Sequence, residues 1–199
     1  MFVKALTLAT FLGLSTGSTM AGTALTRFDV AEDHTRFVFA PAPVHQNGMP
    51  AHGNPFVTQG YIYPEGTLRG DESGVLEDGS PAFPHKVLGT WTCDGWFVGK
   101  GGNTKEGVWL ISRQVFQFGD GVLITQGTEL ADVDVANARP ITGSTGSYAD
   151  VEGVMEQTLL GFSTHMGVNA TFEILGGSEL KKANWEPEYY EYEDQATLD

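Results

Sequence analysis

Apolar residues in this chain fall in short bursts separated by glycine- and proline-rich gaps. The bursts cover residues 56–63, 90–98, 108–118, 122–126, 153–163 and 168–175, and they are rich in Val, Ile, Thr, Phe, Tyr and Trp. Such side chains suit a pleated, half-buried surface. The gaps hold Glu77-Asp78-Gly79, residues 99–102, Gly119-Asp120-Gly121 and residues 143–146, all of them turn chemistry. The pattern predicts an all-β domain of many short antiparallel strands.

The sharpest hairpin signal is Phe118-Gly119-Asp120-Gly121-Val122, because Gly and Asp tolerate the positive backbone angles of a tight turn. It predicts that 108–118 and 122–126 pair antiparallel. Along 108–118, Trp109, Ile111, Arg113, Val115 and Gln117 share one face, and Leu110, Ser112, Gln114, Phe116 and Phe118 the other. Both faces carry apolar groups, which suits a small barrel packed inside and covered outside. Strict alternation allows only one of Trp109 and Phe116 to point inward. On the strand at 90–98, Trp91, Cys93, Gly95 and Phe97 share a face. Residues 41–55, with four prolines, read as a long loop, 129–138 as a connection or edge, and Gly143-Ser144-Thr145-Gly146 as a β-turn rather than a phosphate loop.

The chain opens with Lys4, a short apolar run over 5–14 and small polar residues to 24, the three-part pattern of an export signal. About ten apolar residues are too few for a membrane span, which needs roughly twenty. The reading is a signal peptide at 1–24, a barrel domain at 25–178 and an acidic flexible tail at 179–199, in a secreted or periplasmic protein. A formal charge of −14 without a basic cluster repels phosphate backbones and anionic membranes. Nucleic acid is therefore excluded as a partner, whereas an apolar small molecule or a protein is not. Cys93 is the only cysteine, so no internal disulfide staples the domain.

Three stretches, in order, resemble the allene oxide cyclase barrels and their dirigent relatives. Leu88-Gly89-Thr90-Trp91-Thr92-Cys93 resembles the strand carrying that family's pocket cysteine. Val115-Phe116-Gln117-Phe118-Gly119-Asp120-Gly121 resembles its aromatic strand and turn, and Ile141-Thr142-Gly143-Ser144-Thr145-Gly146 with Val151-Glu152-Gly153 its glycine hairpin. The resemblance implies an eight-stranded antiparallel barrel, often trimeric, with an apolar cavity and no cofactor, in which Trp91, Cys93 and Phe97 line the ligand site. It implies a cyclase or isomerase that directs stereochemistry; a non-catalytic binding or interaction barrel is the alternative. Two positions depart from the family. The corresponding early strand, taken as Phe37-Val38-Phe39-Ala40-Pro41, has no matching glutamate, and Thr128-Glu129 stands near the family's tyrosine.

Cys93 and Glu129 are the candidate catalytic residues. A thiol among aromatics is normally kept un-ionised and inert, and more often lines a cavity than reacts. A buried Glu129 could serve as a general acid or stabilise developing positive charge, although a lone glutamate more commonly faces water. His45, His52 and His85 sit in loops without metal-binding spacing, and no G-x-S-x-G elbow marks a hydrolase. Asn169-Ala170-Thr171 fits a glycosylation acceptor.

Overall fold

A computed structural model of the protein describes residues 26–69 and 72–175. The signal peptide and the acidic tail expected from the sequence lie outside the described residues. Among the described residues nine strands form one sheet: β1 (Arg27–Glu32), β2 (Val38–Phe39), β3 (Pro55–Pro64), β4 (Gly89–Phe97), β5 (Val108–Phe118), β6 (Gly121–Leu130), β7 (Ala136–Gly146), β8 (Val154–Phe162) and β9 (Val168–Leu175). From β3 to β9 every strand pairs antiparallel with the next. β1 then pairs with both β9 and β3, which closes the sheet. The two-residue β2 pairs with β3 at Val57 and Phe56, beyond the end of β1, so β1 and β2 share one stave of an eight-stave barrel. Closure removes the unpaired strand edges that an open sheet would expose.

The interior divides along the barrel axis. One end is a solid aromatic plug: Phe28 contacts Phe116, Phe118 and Phe172 at ring separations of 5.2, 5.3 and 5.4 Å, Phe116 meets Phe172 at 4.9 Å, and Tyr148 stacks on Phe118 at 4.8 Å. Phe28, Phe116 and Leu123 are fully buried there. The other end is hollow and opens between the loop at 40–54 and the β8–β9 turn.

Outside the barrel, the described parts of 65–88 strap across β1 and β3. Ala31, Tyr63, Leu68 and Val75 make a second small core beneath it. Tyr63 Oη donates to the Gly74 carbonyl at 2.6 Å, and burial pushes its phenol up to about 12. Asp29 accepts from the Leu68 amide at 2.9 Å. This strap explains why β1 is buried on both faces, something no period-2 pattern on β1 alone announces.

Several expectations change. The first barrel strand is β1, not 37–41, of which only Val38 and Phe39 pair. The segment 129–138 is a connection only over 131–135, because β6 runs to Leu130 and β7 starts at Ala136. Residues 143–146 belong to β7, and the chain reverses after them, with Ser147 donating to the Asp120 carbonyl at 3.0 Å. Asn169 is buried with its amide on the Glu72 carbonyl at 2.7 Å, which leaves no accessible glycosylation acceptor.

Candidate functional site

The hollow half encloses a cavity of about 310 Å³. Trp91, Cys93 and Phe97 all lie on its wall, carried there by the alternate positions of β4. Phe37, Phe39, Phe56, Trp109 and Phe162 build an aromatic mouth, with ring separations from 5.2 Å for Phe56 and Phe97 to 6.4 Å for Phe37 and Phe97. Met49 and Pro50 reach the opening from the loop at 40–54, and His34 and His165 stack at its edge at 4.8 Å.

Trp109 and Phe116 both face inward, against the alternation rule. The reason is a bulge: on β5 Val108 pairs with Leu130 and Leu110 with Glu129, so Trp109 is an extra residue without a partner on β6. The bulge lets Trp109 and Leu110 line the cavity together.

Glu129 does not face water. It is 5 % exposed and lines the cavity wall at the end of β6. Its carboxylate accepts from Ser112 Oγ, from Gln157 Nε2 at 2.9 Å and from Cys93 Sγ at 3.5 Å. Behind it lies Arg139, fully buried, with a guanidinium nitrogen 3.8 Å from Glu129 Oε1. A buried carboxylate needs this kind of company, since an unpaired charge is far more costly in an apolar interior.

The chain brings Arg139 inward through a gap in the sheet. The β6–β7 ladder stops at Thr125 and Ile141, and side chains take over its hydrogen bonds. Asn137 Nδ2 and an Arg139 guanidinium nitrogen donate to the Thr128 carbonyl at 2.6 and 2.7 Å. The other guanidinium nitrogens reach Thr125 Oγ1 at 3.3 Å and Ser112 at 3.0 Å. Gln114 extends the network by donating to Gln157 Oε1 at 2.9 Å.

A second carboxyl group, absent from the sequence reading, shares the cavity. Glu32 closes β1 on the same face as Phe28 and Val30, is 6 % exposed, and accepts from the Val168 amide at 2.8 Å. Burial pushes its pKa up, and the negative charges of Glu129 and Asp33 add to the effect. The early strand therefore does supply an acid, five residues before the stretch in which the sequence comparison placed it. Period-2 alternation over Phe28, Val30 and Glu32 was the available signal.

Burial also pushes the Cys93 thiol well up, and the adjacent Glu129 carboxylate reinforces the shift. Cys93 is thus a thiol donor to Glu129 rather than a thiolate. His45 and His52 stay in loops, on the Lys100 carbonyl at 2.9 Å and the Gly99 amide at 3.1 Å, and no cluster of three metal-ligating side chains exists among the described residues.

No protein-family model matches the sequence, and comparison with curated proteins gives no match. Among solved structures, a pterocarpan synthase dirigent protein is similar at a TM-score of 0.53 and 16 % identity, over 74 % of this chain and 89 % of that one. A pyocyanin demethylase aligns at 0.48 and 13 %, over 75 % and 98 %. A Diels Alderase from Streptomyces koyangensis aligns at 0.38 and 15 %, over 79 % and 72 %. The dirigent comparison shows a shared barrel fold.

Proposed function

We propose that this protein is an exported, cofactor-free barrel that binds an apolar small molecule and directs its cyclisation or isomerisation. One observation carries the reading: two buried carboxyl groups, Glu32 and Glu129, line the same predominantly apolar cavity. Burial favours the protonated form of Glu32, which suits it to give a proton to substrate. The substrate then develops positive charge beside Glu129, whose carboxylate is held in place by Ser112, Gln157 and Cys93. Loss of a proton from the product-forming cation back to Glu32 restores the starting state, so the net change is an isomerisation without a redox partner. The aromatic walls supply the other half of the effect by holding a flexible molecule in one reactive conformer. Arg139 keeps Glu129 compensated between turnovers.

One feature supports the barrel's use outside the cytoplasm, the three-part pattern at 1–24. Among the described residues no helix is long and apolar enough to cross a membrane.

The test uses signal-free protein incubated with epoxide-bearing and polyene precursors, with products separated by chiral chromatography. Stereoselective product is expected, with Glu129→Gln and Glu32→Gln each lowering turnover by roughly 10²–10⁴-fold. Cys93→Ala slows it far less, because the thiol only positions Glu129. Tight binding with no turnover on any precursor, and no ligand effect in either Gln variant, overturns catalysis and leaves the carrier reading.

A further inference from the structure

Exposed apolar side chains gather at one end of the barrel. Apart from Leu76 on the strap, every large apolar side chain that is exposed among the described residues stands at the end where the cavity opens. Val38, Val57, Trp96 and Ile111 make an outward patch on the mouth ends of β2 to β5, because Val38 pairs with Val57, Trp96 pairs with Ile111, and Val57 and Trp96 are diagonal neighbours. Val108 begins β5, and Val133 and Val135 lie in the β6–β7 connection. Val44 and Met49 stand on the loop at 40–54, facing Phe162 and Met166 across the opening. Trp96 is 55 % and Met166 70 % exposed, whereas no large apolar side chain is exposed at the plug end among the described residues. Single apolar residues on a surface are ordinary, but a collar confined to the rim of a cavity marks an interaction site. We propose that this collar docks the barrel, mouth first, onto a zwitterionic lipid surface from which the cavity takes its apolar occupant. This rests on the small-molecule reading above and adds where that molecule is collected.

The shape and charge of the collar choose a lipid surface over a protein. Its apolar tips sit on separate strand ends and loops around an opening, and a fluid layer wets separated tips where a rigid partner must match each of them. Two copies joined mouth to mouth would close both cavities against any ligand. Trp96 adds a side chain whose amphipathic ring favours the boundary between lipid and water. The charges among the apolar tips are of both signs. Arg113 is bonded to Asp94 at 2.8 Å on the outer face of β4 and β5, and Lys100 and Lys105 share the mouth-end loops with Glu106 and Asp132. Mixed signs suit headgroups that carry a cation and an anion together. A formal charge of −14 over the whole chain opposes approach to an anionic layer, and a neutral layer raises no such barrier. Docking in this sense wets a rim and inserts no strand or helix.

Co-sedimentation with sucrose-loaded vesicles tests the assignment, using the chain without residues 1–24 so that the apolar leader takes no part. Vesicles of phosphatidylcholine are expected to carry the protein down, and vesicles of equal parts phosphatidylcholine and phosphatidylserine to carry less at low salt. Trp96→Ser combined with Met166→Ser lowers the partition coefficient roughly tenfold. Leu76→Ser, at a site 52 % exposed but off the collar, leaves it unchanged. All three positions are exposed, so the variants keep the wild-type melting temperature. Bromine-labelled phosphatidylcholine quenches tryptophan emission in the wild type and quenches it less in Trp96→Phe. Absence of sedimentation with phosphatidylcholine, a loss in Leu76→Ser equal to that of the collar pair, or tighter binding to the mixed vesicles overturns the assignment. So does a dimer in sedimentation velocity that the collar pair of substitutions dissolves, since a second copy would then cover the rim. N-phenyl-1-naphthylamine, a neutral apolar probe titrated in lipid-free buffer, separates the two readings. If it binds and the vesicles do not, docking fails and the small-molecule reading stands; if it does not bind, the small-molecule reading fails whatever the vesicles show.

Discussion

The two halves of the barrel interior are built from the same residue types and do opposite things. In the plug, Phe28, Phe116, Phe118, Phe172 and Tyr148 pack at ring separations of 4.8–5.4 Å. In the mouth, Phe37, Phe39, Phe56, Phe97, Trp109 and Phe162 stand at 5.2–6.4 Å around open space. Aromatic content by itself therefore says nothing about whether a barrel is filled. What separates the halves is the polar belt between them. Cys93, Gln114, Ser112, Glu129, Gln157 and Arg139 are joined by hydrogen bonds, with Gln114 Oε1 left without a partner among the described residues, and form a polar floor beneath the mouth aromatics. The plug supplies stability and the mouth supplies access.

The strongest way to break this comparison is to truncate one ring from each half. Phe116→Ala is expected to cost about 3–5 kcal/mol, because its plug neighbours cannot close the void. Phe39→Ala, at a half-buried mouth position, should cost under about 1 kcal/mol in the same urea titration. Comparable losses at both sites would mean that the mouth is as tightly packed as the plug.

The belt is probed next. Arg139→Leu leaves Glu129 buried without its counter-charge and should cost about 3 kcal/mol. Adding Glu129→Leu to that variant should recover much of the loss, since a buried pair replaced as a unit is close to neutral. If the double variant is no more stable than the single, the pair does not act as a unit and the floor is held by its neutral hydrogen bonds.

The smallest effect concerns Glu32. Its pKa is raised in the folded state by burial first and by Glu129 and Asp33 second, so its contribution to stability is fully present below the unfolded value of 4.5 and is lost as pH rises through the folded value. Glu32→Gln removes that dependence. The variant should melt a few °C above wild type at pH 8 and draw level towards pH 4. An equal difference at both pH values would remove the argument that burial shifts Glu32 towards its protonated form.

The sequence made the β5–β6 hairpin readable because Gly119-Asp120-Gly121 permits so few alternatives, and the strand at 168–175 matches β9 end to end. It made the inward face of β4 readable through simple alternation. It hid whatever depends on broken alternation or on distant chain. The Trp109 bulge moves one residue out of register, and no local composition distinguishes a bulged strand from a regular one. Arg139 is invisible as a core residue because its inward turn depends on where the β6–β7 ladder stops. Glu32 and Glu129 line one cavity only because the strands close into a barrel, a proximity no local pattern reports. The solvent-facing reading of Glu129 failed for the same reason, since its guanidinium partner comes from the next strand.

The closing seam between β1 and β9 joins residues 27–31 to residues 169–173. Contacts of such wide sequence separation form late, after the chain entropy of nearly the whole domain has been given up. A chain emerging in order from its N-terminus can pair its first stave with β3 early, but the seam to β9 must wait until the last strand has been made. Glu32, at the end of that stave, therefore gains its Val168 amide partner and an enclosed cavity only when the last strand arrives.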